Sequence, residues 1–283
     1  MIVDAHHHLW PDPADYPWLG DPSLAPIRRP FTPTDLRAEL AAAGVDRTVL
    51  VEAGRGAYAE VPLFLDLAAR TPEIAGVVAW ADLTDPQLAA TLEGYRALPG
   101  GELLVGVRSQ VQAEPDADHL DRADVRAGLA AVAAAGLVFD LVIRVDQIPA
   151  ATRAARAVPG LRFVLDHVGK PRIAAGRQGL EAWRGPLRDL ATAPNVTCKL
   201  SGMVTEADWE RWTVDDLRPF VAVAVDAFGP DRVMFGSDWP VCLLASTYAG
   251  VLDALRSALP PLTEDELGDV LGGTAVRTYG LRL

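Results

Sequence analysis

The chain has 283 residues, of which 50% are hydrophobic and 23% are charged, a composition with which a globular protein can bury a sizeable core. Its formal net charge of −12 argues against binding to nucleic acid or to an anionic membrane surface, although local arginines can still hold a small anionic substrate. Two cysteines, Cys198 and Cys242, no secretory leader pattern and no apolar run that could span a membrane together predict buried thiols in a cytoplasmic protein.

Short apolar runs rich in valine, isoleucine and leucine recur along the chain and predict eight parallel strands. Such continuous apolar runs are typical of strands that are buried on both faces. The predicted strands cover residues 2–8, 48–53, 74–83, 103–111, 138–143, 163–168, 196–201 and 233–238.

Longer stretches rich in alanine and leucine, with helical spacing, lie between most of these strands. They predict helices over residues 33–43, 58–70, 85–97, 124–135, 148–157, 181–191, 214–228, 247–258 and 263–278. The last of these has a clear start, because Thr263 can cap it and Glu266 follows three residues later.

Eight strand–helix units predict the fold, a single (β/α)₈ TIM barrel domain over residues 1–283. An open, doubly wound sheet is the alternative. No G-x-G-x-x-G or Walker-type loop follows any strand, so that alternative lacks its usual nucleotide site. The segment 12–30, which follows the first strand and contains proline and tryptophan, is a long loop of the kind that is often functional.

The first strand ends in three consecutive histidines, at the barrel edge where active sites lie. Side-chain alternation places His6 and His8 on one face and His7 on the other. Two imidazoles that converge in a barrel mouth can bind a metal or hold an oxyanion. We therefore take His6 and His8 as site residues and His7 as a packing residue outside the barrel.

The sixth and eighth strands end in further polar groups. His167 should emerge at the same rim, with Asp166 pointing away in a structural role and Lys170 on the loop beyond. Asp238 ends the last strand, which lies beside the first strand when a barrel closes. Because a buried carboxylate costs free energy unless it is paired, we interpret Asp238 as a working group beside the histidine pair.

Arg108, at the end of the fourth strand, can polarise a carbonyl or hold a carboxylate through two hydrogen bonds, and the alternative is a salt bridge at the rim. His119 lies in an acidic loop and is predicted to be solvated. The weaker candidates are Lys199 and Ser201 on the seventh strand and Asp140 and Arg144 on or after the fifth.

Seven short motifs span nearly the whole chain in order. They are VDAHHHLW at 3–10, YPWL at 16–19, GVR at 106–108, FDL at 139–141, DHVGKP at 166–171, KLSG at 199–202 and FGSDWP at 235–240. With them the sequence resembles the amidohydrolase superfamily, in its amidohydrolase-related branch. The resemblance is to the lactonases of that branch, which include L-fuconolactonase, L-rhamnonolactonase and 2-pyrone-4,6-dicarboxylate lactonase.

The resemblance implies hydrolysis of a small lactone, with a sugar-acid lactone as the expected substrate. Asp238 would act as general base on water, while His6, His8, His167 and Arg108 would polarise the ring carbonyl and hold the oxyanion. Trp18 and Trp10 would shape a lid, and Trp239 would be a packing residue. The substrate-binding candidates are Trp18, Lys199, Ser201, Lys170 and Arg144.

Three of the histidines and the last strand's aspartate could hold one zinc ion, since three nitrogens and one oxygen suit that metal. These ligands would be His6, His8, His167 and Asp238. Metal-binding members of the superfamily usually add a lysine or glutamate and a further histidine, and this chain offers no such histidine at a strand end. A two-metal site is therefore not expected, and no cofactor is expected to be obligatory. Ser109 stands where sugar-lactonase relatives often have a histidine, which bears on the substrate assignment.

Two other functions stay open at the level of sequence. A metal-dependent decarboxylase, also found in the amidohydrolase-related group, would need a tightly bound metal. A non-catalytic barrel that binds a sugar acid would leave Asp238 and three histidines without a role. The expected partner is a small lactone, with no nucleic acid and no membrane, and a homodimer is a fair expectation for a barrel of this size.

Overall fold

The computed structural model describes residues 1–283, and its eight strands form one parallel sheet in the order of the sequence. The last strand meets the first, because His7 pairs with Trp239 and the backbone N–H of His8 donates to the Trp239 carbonyl at 2.7 Å. This confirms the predicted (β/α)₈ TIM barrel and excludes an open, doubly wound sheet.

The strands begin close to the predicted positions, but several end earlier. They are β1 (Val3–His7), β2 (Arg47–Val51), β3 (Ile74–Trp80), β4 (Leu104–Ser109), β5 (Val138–Leu141), β6 (Arg162–Leu165), β7 (Val196–Leu200) and β8 (Val233–Phe235). Strand β6 stops short of residue 168 because His167 and Val168 have φ angles of 53° and 48°, a left-handed conformation that cannot continue a strand.

Helices follow the strands around the outside of the barrel. They are α1 (Pro33–Ala43), α2 (Glu60–Ala69), α3 (Leu88–Ala97), α4 (Ala123–Ala134), α5 (Ile148–Ala157), α6 (Arg177–Ala191), α7 (Met203–Glu206), α8 (Val214–Phe228), α9 (Tyr248–Ala258), α10 (Glu264–Gly268) and α11 (Thr274–Tyr279). Thr263 and Glu266 form the predicted cap, but a π-helical turn, Asp269–Gly273, divides the predicted last helix into α10 and α11. None of these helices is long and apolar enough to cross a membrane.

Two apolar clusters lie on the two sides of the sheet. The larger contains 74 buried residues and fills the layer between strands and helices. The smaller contains 12 residues, among them Val3, Ala5, Met234 and Tyr279, and lies inside the barrel. The rest of the barrel interior, towards the carboxyl ends of the strands, is filled by polar and charged side chains.

A shift in the register of β1 separates an outward aspartate from the inward histidines. Between Asp4 and His7 the chain advances three residues, while its partner β2 advances two, from Thr48 to Leu50. The Asp4 carboxylate accepts hydrogen bonds from the Tyr248 hydroxyl at 2.9 Å and from the Ser237 hydroxyl at 2.6 Å. These bonds tie β1 to the segment after β8 and to α9, so they hold the closure of the barrel.

We expect Tyr248→Phe to lower the free energy of unfolding by about 1–2 kcal/mol, because one buried acceptor on Asp4 loses its donor. Urea denaturation measures this change. Tyr58→Phe is the matched control: its hydroxyl donates to Asp85 at the surface, and its side chain is 40% exposed, so the change should stay within about 0.5 kcal/mol. Equal losses in the two variants would contradict a special role for the Asp4 bonds.

Candidate functional site

Four buried side chains from three parts of the barrel meet at its mouth. The Nε2 atoms of His6 on β1 and of His8, the residue that follows β1, are 3.1 Å apart. Asp238 Oδ1, beyond β8, lies 3.7 Å from His6 Nε2 and 3.5 Å from His8 Nε2. His167 Nε2, beyond β6, lies 3.9 Å from the same oxygen. The structure therefore brings together the four residues that we took from the strand ends as candidate metal ligands.

Two of these residues reach the mouth through strained backbone. His167 has a φ of 53° and Asp238 a φ of 56°, a region that costs about 1–3 kcal/mol for residues other than glycine. Gly202, with a φ of 62°, leaves room for this arrangement, since a Cβ there would lie 2.5 Å from His167 Nδ1. Strain of this kind is typical of functional sites and turns both side chains into the mouth.

Each histidine has a partner on its other ring nitrogen. His8 Nδ1 lies 2.9 Å from the Val51 carbonyl, His6 Nδ1 lies 3.3 Å from Asp166 Oδ1, and His167 Nδ1 lies 3.0 Å from the Ser201 hydroxyl. Because a carbonyl oxygen only accepts, the proton of His8 is on Nδ1 and its Nε2 carries a lone pair. Partners of this kind fix ring orientation in metal sites.

The spacing and chemistry of the Nε2 and carboxylate atoms fit one divalent metal ion. His6 Nδ1 lies 3.1 Å from Lys199 Nζ as well as 3.3 Å from Asp166 Oδ1, and the Nε2 atoms of His6 and His8 face each other across 3.1 Å, a spacing at which one cation can bind both. Nitrogen and oxygen ligands 2.0–2.1 Å from a tetrahedral zinc ion are about 3.3–3.4 Å apart. The distances among His6, His8 and Asp238 scatter around that value.

The protonation states of the cluster also suit metal binding. Burial lowers the pKa of His6 well below its usual value and lowers the pKa of His167 to about 4. Burial alone would raise the pKa of Asp238, but its electrostatic interaction with His167, and with His6 and His8 beside it, lowers that pKa below its usual value. At neutral pH the cluster thus offers the neutral imidazoles of His6 and His167 and the ionised carboxylate of Asp238, the forms that bind metals.

Arg108 lines the same mouth, but its charge is already compensated. Its Nε donates to Glu52 Oε1 at 2.6 Å and its Nη2 to the Glu52 carbonyl at 2.6 Å. Its Nη1 donates to Asp166 Oδ2 at 2.9 Å. The guanidinium can still offer its remaining N–H groups to a ligand, but it brings no net positive charge. Glu52 was not among the predicted site residues, although a carboxylate at the end of a predicted strand is a usable signal.

Asp166 is not turned away from the site, so that expectation was wrong. Its Oδ1 lies 2.9 Å from Lys199 Nζ as well as 3.3 Å from His6 Nδ1. The Lys199 ammonium has no exposed surface and also donates to Asp140 Oδ2 at 2.5 Å, and the Tyr279 hydroxyl donates to the same carboxyl at 2.9 Å. Burial raises the pKa of Asp140 to about 6, against the opposing effect of Lys199.

Two of the predicted substrate-binding residues are buried beneath the cluster and contact the residues that form or hold it. Lys199 and Ser201 are 0% and 1% exposed, and neither lines the cavity at the mouth. Their contacts are with Asp166 and with His167, respectively. The geometry gives them a role in holding the histidines rather than in touching a ligand.

A cavity of about 600 Å³ opens above the cluster. Trp18, Gln110, Gln112 and Lys170 line it together with His8, His167, Arg108 and Asp238. The Trp18 indole is held in place because its Nε1 donates to the Ala53 carbonyl at 2.8 Å. The loop 12–30 thus contributes a wall of the cavity.

Several other expectations for individual residues need correction. Trp10 is fully buried, and its Nε1 donates to the Arg29 carbonyl at 2.9 Å, so it is not part of a lid; it packs edge-on against Trp18 instead. Arg144 pairs with Asp146 at 3.0 Å and lines a neighbouring cavity of about 410 Å³ rather than the cavity over the cluster.

Two histidines and two further side chains lie outside the cluster. His119 is only 7% exposed, so it is not solvated, and its Nδ1 lies 3.5 Å from Glu114 Oε2. His7 has no exposed surface, as expected for a packing residue, and burial lowers its pKa to about 3. Trp239 packs against Phe31, and Ser109 donates to the Ala81 carbonyl beside a separate cavity.

We expect the protein to bind one zinc ion per chain. His8→Ala should weaken zinc binding at least about a hundredfold, because it removes a metal ligand. Loss of a residue that only orients a ligand typically costs less. Competition against a chromophoric chelator measures the affinity. His119→Ala, remote from the cluster, is the control and should bind zinc as the unaltered protein does. Equal affinities of His8→Ala and the control would refute the assignment.

The chain is similar along its length to proteins that have been named. It matches the amidohydrolase family over residues 3–281. The L-fucono-1,5-lactonase of Burkholderia multivorans is 40% identical over an alignment of 291 positions, which covers 99% of this chain and 96% of that protein. The L-fucono-1,5-lactonase of Burkholderia ambifaria is 38% identical over 248 residues, 87% of this chain and 82% of that protein.

A solved structure agrees with these sequence relatives. The crystal structure of an amidohydrolase from Burkholderia multivorans with bound zinc superimposes with a TM-score of 0.93, at 37% identity and over 100% of both chains. Fold, cluster and sequence thus lead to the same assignment. The chain belongs to the amidohydrolase family.

Proposed function

We propose that this protein hydrolyses a small lactone of the sugar-acid class, such as L-fucono-1,5-lactone, to the open hydroxy acid. The observation that carries the proposal is the convergence of three imidazole Nε2 atoms on Asp238 Oδ1 at the floor of a cavity of about 600 Å³. The two Burkholderia relatives named L-fucono-1,5-lactonase support it.

The Asp238 carboxylate supplies the base. It accepts a proton from water as the water oxygen bonds to the ring carbonyl carbon. The ring C–O bond then breaks, and the carboxyl of Asp238 returns the proton to the leaving ring oxygen. The product is one hydroxy acid, and the carboxylate is regenerated.

The oxyanion of the tetrahedral intermediate needs donors that are already in place. Arg108 has five N–H groups, of which three serve Glu52 and Asp166; of the other two, one on Nη1 lies against His6 Nε2 at 3.4 Å and one on Nη2 is free for the oxyanion. Because these buried carboxylates hold the guanidinium on two sides, it does not have to reorient during the reaction. Exclusion of water from the mouth strengthens the same hydrogen bonds.

We propose further that His6, His8, His167 and Asp238 hold one divalent ion, zinc by the chemistry of the donors. Such an ion would supply Lewis-acid polarisation of the carbonyl and would lower the pKa of water at the site. The partners at the Nδ1 atoms, Val51 and Asp166 among them, would keep the ring orientations that this requires. A bound zinc in the Burkholderia multivorans relative supports this assignment.

The wider setting of the activity is also a proposal. We infer that residues 1–283 act as one domain in the cytoplasm, which the two buried, unpaired thiols of Cys198 and Cys242 support. A homodimer stays a prediction that sedimentation would test. A metal-dependent decarboxylase has no observation in its favour beyond the metal-binding cluster, which both functions would share.

We expect Asp238→Asn to fold and to lose at least about a hundredfold in kcat on L-fucono-1,5-lactone, because the amide cannot accept the proton. Asparagine tolerates the left-handed backbone at this position. Initial rates of proton release, corrected for spontaneous hydrolysis, measure the loss. Asp189→Asn on the outer face of α6, where Asp189 pairs with Arg156, is the control and should keep full activity. Near-normal turnover of Asp238→Asn would exclude the proposed base.

A further inference from the structure

No side-chain cation on the wall of the cavity over the cluster is uncompensated. The Arg108 guanidinium is held between the carboxylates of Glu52 and Asp166, at 2.6 and 2.9 Å. The Lys170 ammonium, the one other cation on the cavity wall, lies 3.2 Å from Glu206 Oε1. The ion proposed for the cluster would face the ring carbonyl, so a carboxylate elsewhere on the lactone would lose its hydration without gaining a free side-chain cation, which is unfavourable.

Two side-chain amides on the cavity wall are held in fixed orientations. Because the Glu52 carboxylate only accepts, Gln110 must turn its NH₂ group towards Glu52 Oε1. This leaves Gln110 Oε1 on the other side, where the Gln112 NH₂ group donates to it at 3.2 Å. The orientation of Gln112 is thus set from the buried ion pair of Arg108 and Glu52, through Gln110.

Gln112 lines the cavity and keeps two hydrogen-bonding groups that no protein group occupies. Its Oε1 accepts from no group of the protein, and its NH₂ group has a second hydrogen beyond the one given to Gln110. One acceptor and one donor on a single planar amide suit two hydroxyl groups on neighbouring carbons, one of which donates while the other accepts. The Trp18 indole, which lines the same cavity, offers an apolar surface on which the C–H face of a sugar ring can pack.

We propose that Gln112, oriented by Glu52 through Gln110, determines specificity for neutral lactones with neighbouring ring hydroxyls. This inference rests on the proposed lactone hydrolysis and narrows its substrate class. A site built to hydrogen-bond a hydroxyl rejects an analogue that lacks it, because its own polar groups are then left unpaired.

The test compares two lactones of equal ring size, L-fucono-1,5-lactone and the unsubstituted δ-valerolactone. We expect Gln112→Leu to lower kcat/KM on L-fucono-1,5-lactone by about ten- to a hundredfold, the effect of one or two lost hydrogen bonds, and mostly through KM. On δ-valerolactone kcat/KM should change by no more than about threefold, since this lactone has no ring hydroxyl for Gln112 to bind. Gln178→Leu, on the exposed face of α6 outside this cavity, is the matched control and should leave both rates unchanged.

Equal losses on the two lactones, or no loss on either, would overturn the role of Gln112. Gln110→Ala should show the same selective loss, because Gln112 would lose the group that orients it. If the unaltered protein hydrolyses neither lactone, the proposed function fails. Calorimetric binding of L-fucono-1,5-lactone to the unaltered protein and to Gln112→Leu then decides the inference, and equal affinities would overturn it.

The expected preference for a neutral lactone is measured separately. Galactaro-lactone carries both ring hydroxyls and a free carboxylate, so the unaltered protein should hydrolyse it at least about tenfold less efficiently than the neutral lactone. Glu206→Gln would remove the carboxylate that pairs with the Lys170 ammonium. It should therefore reduce the difference in kcat/KM between the neutral lactone and galactaro-lactone. Equal or better use of galactaro-lactone by the unaltered protein would overturn the claim of a neutral substrate.

Discussion

The carboxylate of Asp166 is the group on which the site most depends. Fully buried, it lies within 3.3 Å of a guanidinium nitrogen of Arg108, the ammonium of Lys199 and Nδ1 of His6. Burying the Arg108 and Lys199 cations without this carboxylate would destabilise the fold, because an unpaired buried charge loses its hydration. Burying the carboxylate without the two cations would be unfavourable for the same reason. One residue at the end of β6 therefore joins β1, β4 and β7 in a single arrangement.

This arrangement explains how a barrel interior can be charged and still rigid. Glu52 and Asp140 complete the network, and burial raises the pKa of the Asp140 carboxyl while the charge of Lys199 acts in the opposite direction. The imidazole of His6 lies on top of the network with one ring nitrogen held from below. Its other nitrogen is thereby presented to the cavity, which is the orientation that a metal ligand or a donor to an oxyanion needs.

The same network also limits what the cavity can accept. Glu52 and Asp166 neutralise the charge of Arg108. Arg108, which we expected to be able to hold a substrate carboxylate, can therefore only donate hydrogen bonds. The carboxylate of Glu52 at the same time orients the amides of Gln110 and Gln112 on the wall. The positioning of the catalytic residues and the choice of substrate thus depend on the same buried ion pairs. A substitution in these ion pairs should therefore affect both.

The sequence alone determined the barrel and the four residues of the cluster, including His6, His8 and Asp238. The physical reason is that apolar runs identify strands and parallel strands end on one side, so polar residues at those ends meet whatever the details of packing. The prediction that Asp238 lies near the first strand followed from closure of the sheet in the same way, and the structure confirms it.

Only the tertiary structure decided what surrounds those residues. Asp166 was expected to point away, because simple alternation does not anticipate the left-handed turn at His167 that ends β6 early. The roles of Glu52 and Gln112 depend on partners that are distant in the chain or are themselves held by such partners. Glu52 and Arg108, for example, are 56 positions apart. Periodicity reports which face a side chain occupies, whereas pairing across a barrel depends on distances that exist only after the chain has folded.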